Sequence, residues 1–228
     1  MRLHRFYIPG QIGKEVRIED KELLHQWLKV FRLGASDRVI VFNGGDSEYE
    51  GYFKILSKNE AVLTIDKERK VKKPTNIELH IFQSIIKKDN FELIVEKGTE
   101  IGVFAFHPII TARSEKKDLN IERLNKIAKE AAEQSGKTRL PEIFSPESLE
   151  KVISDFDGKL FVLDFDAPNF SEEKFGDKIG ILIGPEGGWT ENERDLFDDK
   201  EIKNISLGPQ ILRAETAAIV VSALILLK

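Results

Sequence analysis

The sequence predicts an α/β protein in two parts: a small β-rich unit with one helix over residues 1–71, then a mostly parallel sheet flanked by helices over residues 76–228. Two observations predict it. The front of the chain has short apolar runs separated by turn residues, the pattern of antiparallel strands. From residue 76 strand-like runs alternate with helix-period runs, and that alternation builds parallel sheets with helices on their faces.

In the front unit, "RFYIP" and "EVRIE" are strand candidates. "DKELLHQWLKVFRL" places Leu23, Leu24, Trp27, Leu28 and Phe31 at helical spacing, with Asp20 as its N-cap. Three strands follow, "DRVIVFN", "EYEGYFKIL" and "EAVLTIDKE", separated by the turn-forming "GGDS" and "SKN". The charged "KERKVKKPTN", with Pro74, reads as the linker. In the second unit the strands are "IELHIFQ", "VFAFHPII", "GKLFVLDF", "KIGILIG" and "KNISLG". The helices are "NFELIVEKGTEIG", "NIERLNKIAKEAAEQSG", "SLEKVISDF", "TENERDLF" and the apolar "AETAAIVVSALILL". Asn120 caps the second helix and Gly136 stops it. Thr190 and Glu193 have the spacing of a capping box at the fourth.

Composition narrows the class. With 41% hydrophobic and 32% charged residues, the chain is of globular kind. It contains no cysteine, which excludes disulfides and thiolate metal sites. Its histidines stand at positions 4, 25, 80 and 107, without metal-ligand spacing, so no metal is expected. "MRLHRFYIPG" has no apolar core of signal-peptide kind, and the longest apolar run is interrupted by Ser222 and too short for a span. A cytoplasmic protein with no membrane partner is therefore expected. Charge is uneven: residues 1–75 hold 15 basic and 11 acidic residues, residues 140–228 hold 9 and 18. An ordinary mixed surface produces that, and so does a basic front that docks RNA.

Two Gly-Pro turns, "IGPEGG" (183–188) and "LGPQILRAETAA" (207–218), each follow a strand-like run. Ligands of open α/β sheets bind beyond the carboxyl ends of strands. Gly184, Gly187 and Gly188 let backbone approach a ligand, and Pro185 and Pro209 fix the turns. Neither loop has the phosphate-binding "GK[ST]" or G-x-G-x-x-G patterns, and Glu186 repels a polyphosphate. A ligand with a cationic centre and an adenine fits better, with Ile183, Leu207, Ile211 and Leu212 as apolar walls. S-adenosyl-L-methionine meets that description, as do other adenosine compounds.

These loops resemble the two C-terminal signature loops of the RsmE family of 16S rRNA uracil-N3 methyltransferases, of the SPOUT class. "LHQWLKVFRLGASDRVIVFNGG", "KKDNFELIVEKGTEIGV", "ARSEKK" and "KIAKEAAEQSGKTRLPEI" resemble further family segments, in order along nearly the whole chain. One departure is Gln210, where the family commonly has Arg; Arg213 is retained. The resemblance implies an N-terminal PUA-like β barrel that binds RNA and a C-terminal α/β domain with a trefoil knot. It also implies a homodimer, with the apolar last helix suited to that interface or to burial in its own subunit. It implies S-adenosyl-L-methionine as cofactor, held by Leu163, Ile183, Gly184, Pro185, Glu186, Gly187, Gly188, Leu207, Gly208, Ile211, Leu212 and Ala217. The resemblance implies 16S rRNA or the small ribosomal subunit as partner, with Arg5, Arg32, Lys97, Arg113, Ser114, Gln134, Ser135 and Arg139 as candidate contacts. Phe6 and Tyr7 are stacking faces or barrel core.

Methylation of N3 requires loss of the imide proton. A cation beside the uracil carbonyls favours the anion, which makes Arg213 a catalytic candidate. Glu215 is the candidate proton acceptor, or a first-turn carboxylate meeting the helix dipole. Three functions stand open: a methyltransferase for ribosomal RNA, a knotted methyltransferase for another RNA, and an RNA-binding protein without catalysis. The intact glycines of both loops argue against the last.

Overall fold

The computed structural model describes residues 3–71, 75–114, 119–168 and 176–227; part of the expected linker, residues 72–74, lies outside them. The fold is mixed α/β, in two compact units. One comprises Met1–Lys72 and Ala132–Arg139, the other Lys73–Ala131 and Leu140–Lys228.

The first unit contains β1 (Arg5–Tyr7), β2 (Glu15–Ile18), α1 (Lys21–His25), β3 (Arg38–Phe42), β4 (Ser47–Leu56) and β5 (Ala61–Lys70). The sheet order is β1-β3-β4-β5-β2, with β1 parallel to β3 and the other pairs antiparallel. Asp20 caps α1 as expected, its Oδ1 accepting from Leu23 N at 3.0 Å. The expected single helix does not continue regularly. Residues Gln26–Val30 form a π-helical turn, in which Phe31 N donates to Gln26 O at 3.0 Å. Trp27 within that turn is fully buried, its ring 5.5 Å from Phe6 and 4.9 Å from Phe53. Phe6 is core, not a stacking face. Strand β5 runs through "KERK", which had read as linker. Opposite charges explain the extension: Arg69 pairs in register with Glu48, and Lys67 with Glu50.

Arg5 corrects a second expectation. It is buried, its guanidinium donates to Glu48 and to Lys137 O, and it lies over the Phe42 ring. Burial, the largest single influence, raises the Glu48 carboxyl, but the hydrogen bonds and charges of Arg5 and Arg69 together outweigh it and hold the group below its ordinary range. A charge removed from water needs such a partner. Arg5 is therefore an internal tie of this unit and does not present itself to RNA.

The second unit contains β6 (Glu78–Ser84), α2 (Lys88–Ile101), β7 (Ala105–Ile110), α3 (Ile121–Ser135), β8 (Glu142–Ile143), β9 (Glu147–Ser148), α4 (Leu149–Asp155), β10 (Lys159–Leu163), β11 (Lys178–Ile183), α5 (Glu191–Asp199), β12 (Lys203–Ile205) and α6 (Ala214–Leu226). The last turn of α3 groups with the first unit. The seven strands pair in parallel in the order β12-β10-β11-β6-β7-β8, with β9 also on β7. Strands β8 and β9, of two residues each, carry too little pattern to be seen in sequence.

One face of the sheet packs Leu79, Ile81, Ile181 and Phe161 against apolar residues of α2 and α6. The other packs Phe82, Leu182 and Val162 against α4, α5 and Trp189. Helix α6 buries Ala218, Val221 and Ile225 in the core of its own chain, and leaves Leu224 exposed. On the second face, His80 Nδ1 lies 3.0 Å from His107 Nε2. The His107 ring stacks between Phe82 and Phe144, at centroid distances of 4.3 and 4.2 Å. Burial first, then His80 and Lys178, push His107 down to about 3.

Candidate functional site

Strands β10, β11 and β12 are neighbours, so their carboxyl ends meet at one edge of the sheet. A cleft of about 400 Å³ opens there. Its apolar walls are Leu163, Ile183, Ile205, Leu207 and Leu212, with Ala214 and Ala217 from the first turns of α6. Gly184, Pro185, Glu186 and Gly188 line it from the first Gly-Pro loop, and Gly208, Gln210, Ile211 and Arg213 from the second. The structure thus brings both loops to one site.

Local interactions fix the loops. Gly188 N donates to Pro185 O at 2.9 Å, closing the first turn. A Cβ on Gly184 would stand 3.0 Å from the Trp189 ring, so any larger residue there would have to push the indole aside. The second loop turns at Gly208, whose φ of 122° is a glycine conformation. The Ser206 hydroxyl lies within donating distance of both Phe165 O and Gly208 O, which share its one proton, and accepts from Gly208 N. The capping box is present: Thr190 N and Oγ1 donate to Glu193 Oε2 at 2.7 and 2.8 Å.

Sequence reasoning missed Asp164, Phe165, Trp189, Arg194, Ile205, Ser206 and Ala214, which also line the cleft. Asp164 and Arg194 form an ion pair 30 positions apart, for which the sequence holds no signal. That pairing neutralises Arg194. Arg213, exposed at the N-cap of α6 and making no cap hydrogen bond, is the cleft cation without a partner among the described residues. The exposed rim mixes polar Glu186, Arg194, Gln210 and Arg213 with two apolar side chains, Ile211 at 84% and Phe165 at 49% exposure.

Two expected residues stand off the cleft. Gly187 faces Arg113: its carbonyl accepts from the guanidinium, and a Cβ there would lie 3.1 Å from Arg113 Cδ. Glu215 is only 8% exposed, with Oε2 buried and without a hydrogen-bond partner among the described residues. The candidate RNA residues are scattered. Arg32, Gln134 and Arg139 are exposed. Lys97 is held by Glu96 and Glu100 at 2.7 and 2.8 Å. The Ser114 hydroxyl is engaged with Thr111, and Ser135 Oγ is buried. Among the described residues no cluster could hold a metal ion, and no helix is long and apolar enough to cross a membrane.

A parallel sheet ending in a cleft of two glycine loops marks a class, and the family model for the RNA methyltransferase domain matches residues 73–226. Ribosomal RNA small subunit methyltransferase E of Rickettsia conorii is 34% identical over 96% of this chain and 93% of its own. A putative methyltransferase from Legionella pneumophila, solved with its bound cofactor SAM, superimposes with a TM-score of 0.89 at 25% identity, over 98% of this chain and 97% of that one. The methyltransferase E of Neisseria gonorrhoeae shares the fold, with a TM-score of 0.91 at 24% identity over 98% of this chain and 96% of its own. The chain belongs to the RNA methyltransferase domain family, and within it to the ribosomal RNA small subunit methyltransferase E family.

Proposed function

We propose that the protein transfers the methyl group of S-adenosyl-L-methionine to N3 of a uridine in 16S ribosomal RNA. The observation that carries the reading is the cleft, where two glycine loops converge with Arg213, a cation without a partner among the described residues. The residues present fit the cofactor. Ile183, Leu163, Leu207 and Leu212 offer apolar faces to an adenine, and the glycine loops offer backbone groups to its edge. Glu186 and the paired Arg194 leave no cluster of cations for a polyphosphate. When bound, the cofactor supplies an electrophilic methyl group.

The chain's own residues then act on the base. Arg213 holds positive charge where the uracil carbonyls gain negative charge as N3 loses its proton. The rim around Arg213 and Ile211 is exposed, so that proton passes to water. Glu215, buried in the first turn of α6 and not among the residues that line the cleft, sets the electrostatics of the helix start. The walls position the donor, and positioning supplies much of the rate.

In this reading the first unit is a PUA-like barrel and the second a trefoil-knot domain; support comes from the strand order β12-β10-β11-β6, with α6 returning against β6 and β11. The protein acts as a homodimer in the cytoplasm. Leu93 on α2 and Leu224 on α6, apolar and exposed on helices that pack together, support the dimer. Arg32, Gln134 and Arg139 are the exposed residues offered to RNA. The test is nucleoside mass spectrometry of small-subunit rRNA from a strain lacking the gene. Loss of 3-methyluridine, and its return when the gene is restored, is expected. Retention of the modification overturns the substrate assignment.

A further inference from the structure

The segment Thr111–Ser114, after β7, is tied at one point to the first Gly-Pro loop and at another to the start of α5, which follows that loop. Glu193 is buried, and its two carboxylate oxygens serve two segments at once. Oε1 accepts from Ala112 N at 2.9 Å, while Oε2 accepts from Thr190 N and Oγ1. A capping box needs only the second set. The first joins the β7 segment to the start of α5, 81 positions away. The other tie is the Arg113 guanidinium on Gly187 O. Arg113 has no other partner among the described residues. Its side chain also fills the space that a Cβ at Gly187 would need. The segment is itself stiffened, because the Ser114 hydroxyl engages Thr111 N and Oγ1 at 3.1 and 2.9 Å.

We infer that Arg113 and Glu193 are positioning residues for the methyl-donor loop, clamping Gly184–Gly188 in its donor-accepting shape from the side opposite the cleft. The clamp rests on the proposed cofactor site. Gly187 then serves in two ways. Its carbonyl is the anchor, and its lack of a side chain lets Arg113 lie flat against the loop. Arg113 acts here through the loop and not as an RNA contact, which separates the inference from the sequence expectation. A charge-assisted bond to a carbonyl fixes one peptide plane, and a loop with three glycines has the most conformational freedom to lose.

The test is calorimetric titration of S-adenosylhomocysteine into the purified full-length protein and its variants. Wild-type protein must bind; no binding overturns the cofactor site itself, not the clamp. Arg113→Ala is expected to weaken binding about tenfold, the loss of one charge-assisted hydrogen bond. Its melting temperature should stay within about 2 °C of wild type, because the residue is exposed. Arg113→Lys restores most of the affinity, since an ammonium can donate to the same carbonyl. In turnover assays with small ribosomal subunits, KM for the donor rises in Arg113→Ala while KM for the subunits stays. The reverse split, with donor affinity unchanged, overturns the clamp and returns Arg113 to RNA. Glu193→Gln, which keeps one carbonyl acceptor, should weaken donor binding in the same direction. Unchanged affinity in that folded variant also overturns the inference.

Discussion

His107 makes the stability of the second unit depend on pH in a calculable way. Its ring is sandwiched by Phe82 and Phe144 and sits 3.0 Å from the His80 ring, with Lys178 near and paired to Asp157. Burial, then the repulsion of His80 and Lys178, lowers it from 6.5 to about 3. A depressed histidine is neutral in the folded state and takes up a proton on unfolding. Its contribution is therefore complete above about pH 6.5 and is lost progressively as the pH falls toward 3. Between pH 7.5 and 5.0 the linkage relation gives a loss of about 2 kcal/mol from this residue alone. His107→Gln retains a hydrogen-bonding group without the titration. Urea unfolding of both proteins at the two pH values measures the difference. The wild type should lose about 2 kcal/mol more than the variant. Equal losses would refute the assignment of the proton uptake to His107.

Two further outcomes concern charged residues. Arg213→Ala should cut turnover about 100-fold in a methyl-incorporation assay, the scale for removing one donor from a developing anion, while affinity for S-adenosylhomocysteine holds; unchanged turnover counts against Arg213 as the charge-stabilising group. Arg5→Met should lower unfolding stability by about 2 kcal/mol, because Glu48 loses its buried partner and keeps only the exposed Arg69, and RNA affinity of the folded variant should not change. A variant of full stability with weakened RNA binding would show instead that Arg5 works at the surface.

Local signals were legible where the partner lay a few positions away. Asp20 capping α1, the Thr190–Glu193 box and the Gly136 stop are all contacts within one turn, and each is written in spacing. Periodicity also placed the large strands and helices of the parallel sheet. The convergence of the two Gly-Pro loops followed from a rule about strand ends and needed no contact to be known. What failed to show were pairings set by the tertiary fold. Arg5 meets Glu48 across 43 positions, and Asp164 meets Arg194 across 30. The π-helical turn at Gln26 likewise answers to the demand of Trp27 for a place in the core. Gly187 was read as a cleft residue because all three loop glycines look alike in sequence; only the position of Arg113 separates its role from those of Gly184 and Gly188.

The strand order has a consequence for synthesis. Strand β6 is completed early, yet the neighbour that covers one of its edges is β11, where Glu78 meets Lys178 a hundred positions later. At translation rates of about 5–20 residues per second, that edge waits on the order of 5–20 s for its partner. Every lining residue of the cleft lies at or beyond Leu163, and the last is Ala217. A nascent chain therefore has no complete cleft until Ala217 has been made. A product cut short before Ala214 would keep every residue of the first unit while losing α6, whose first turns line the cleft and whose apolar side chains pack in the core of the sheet.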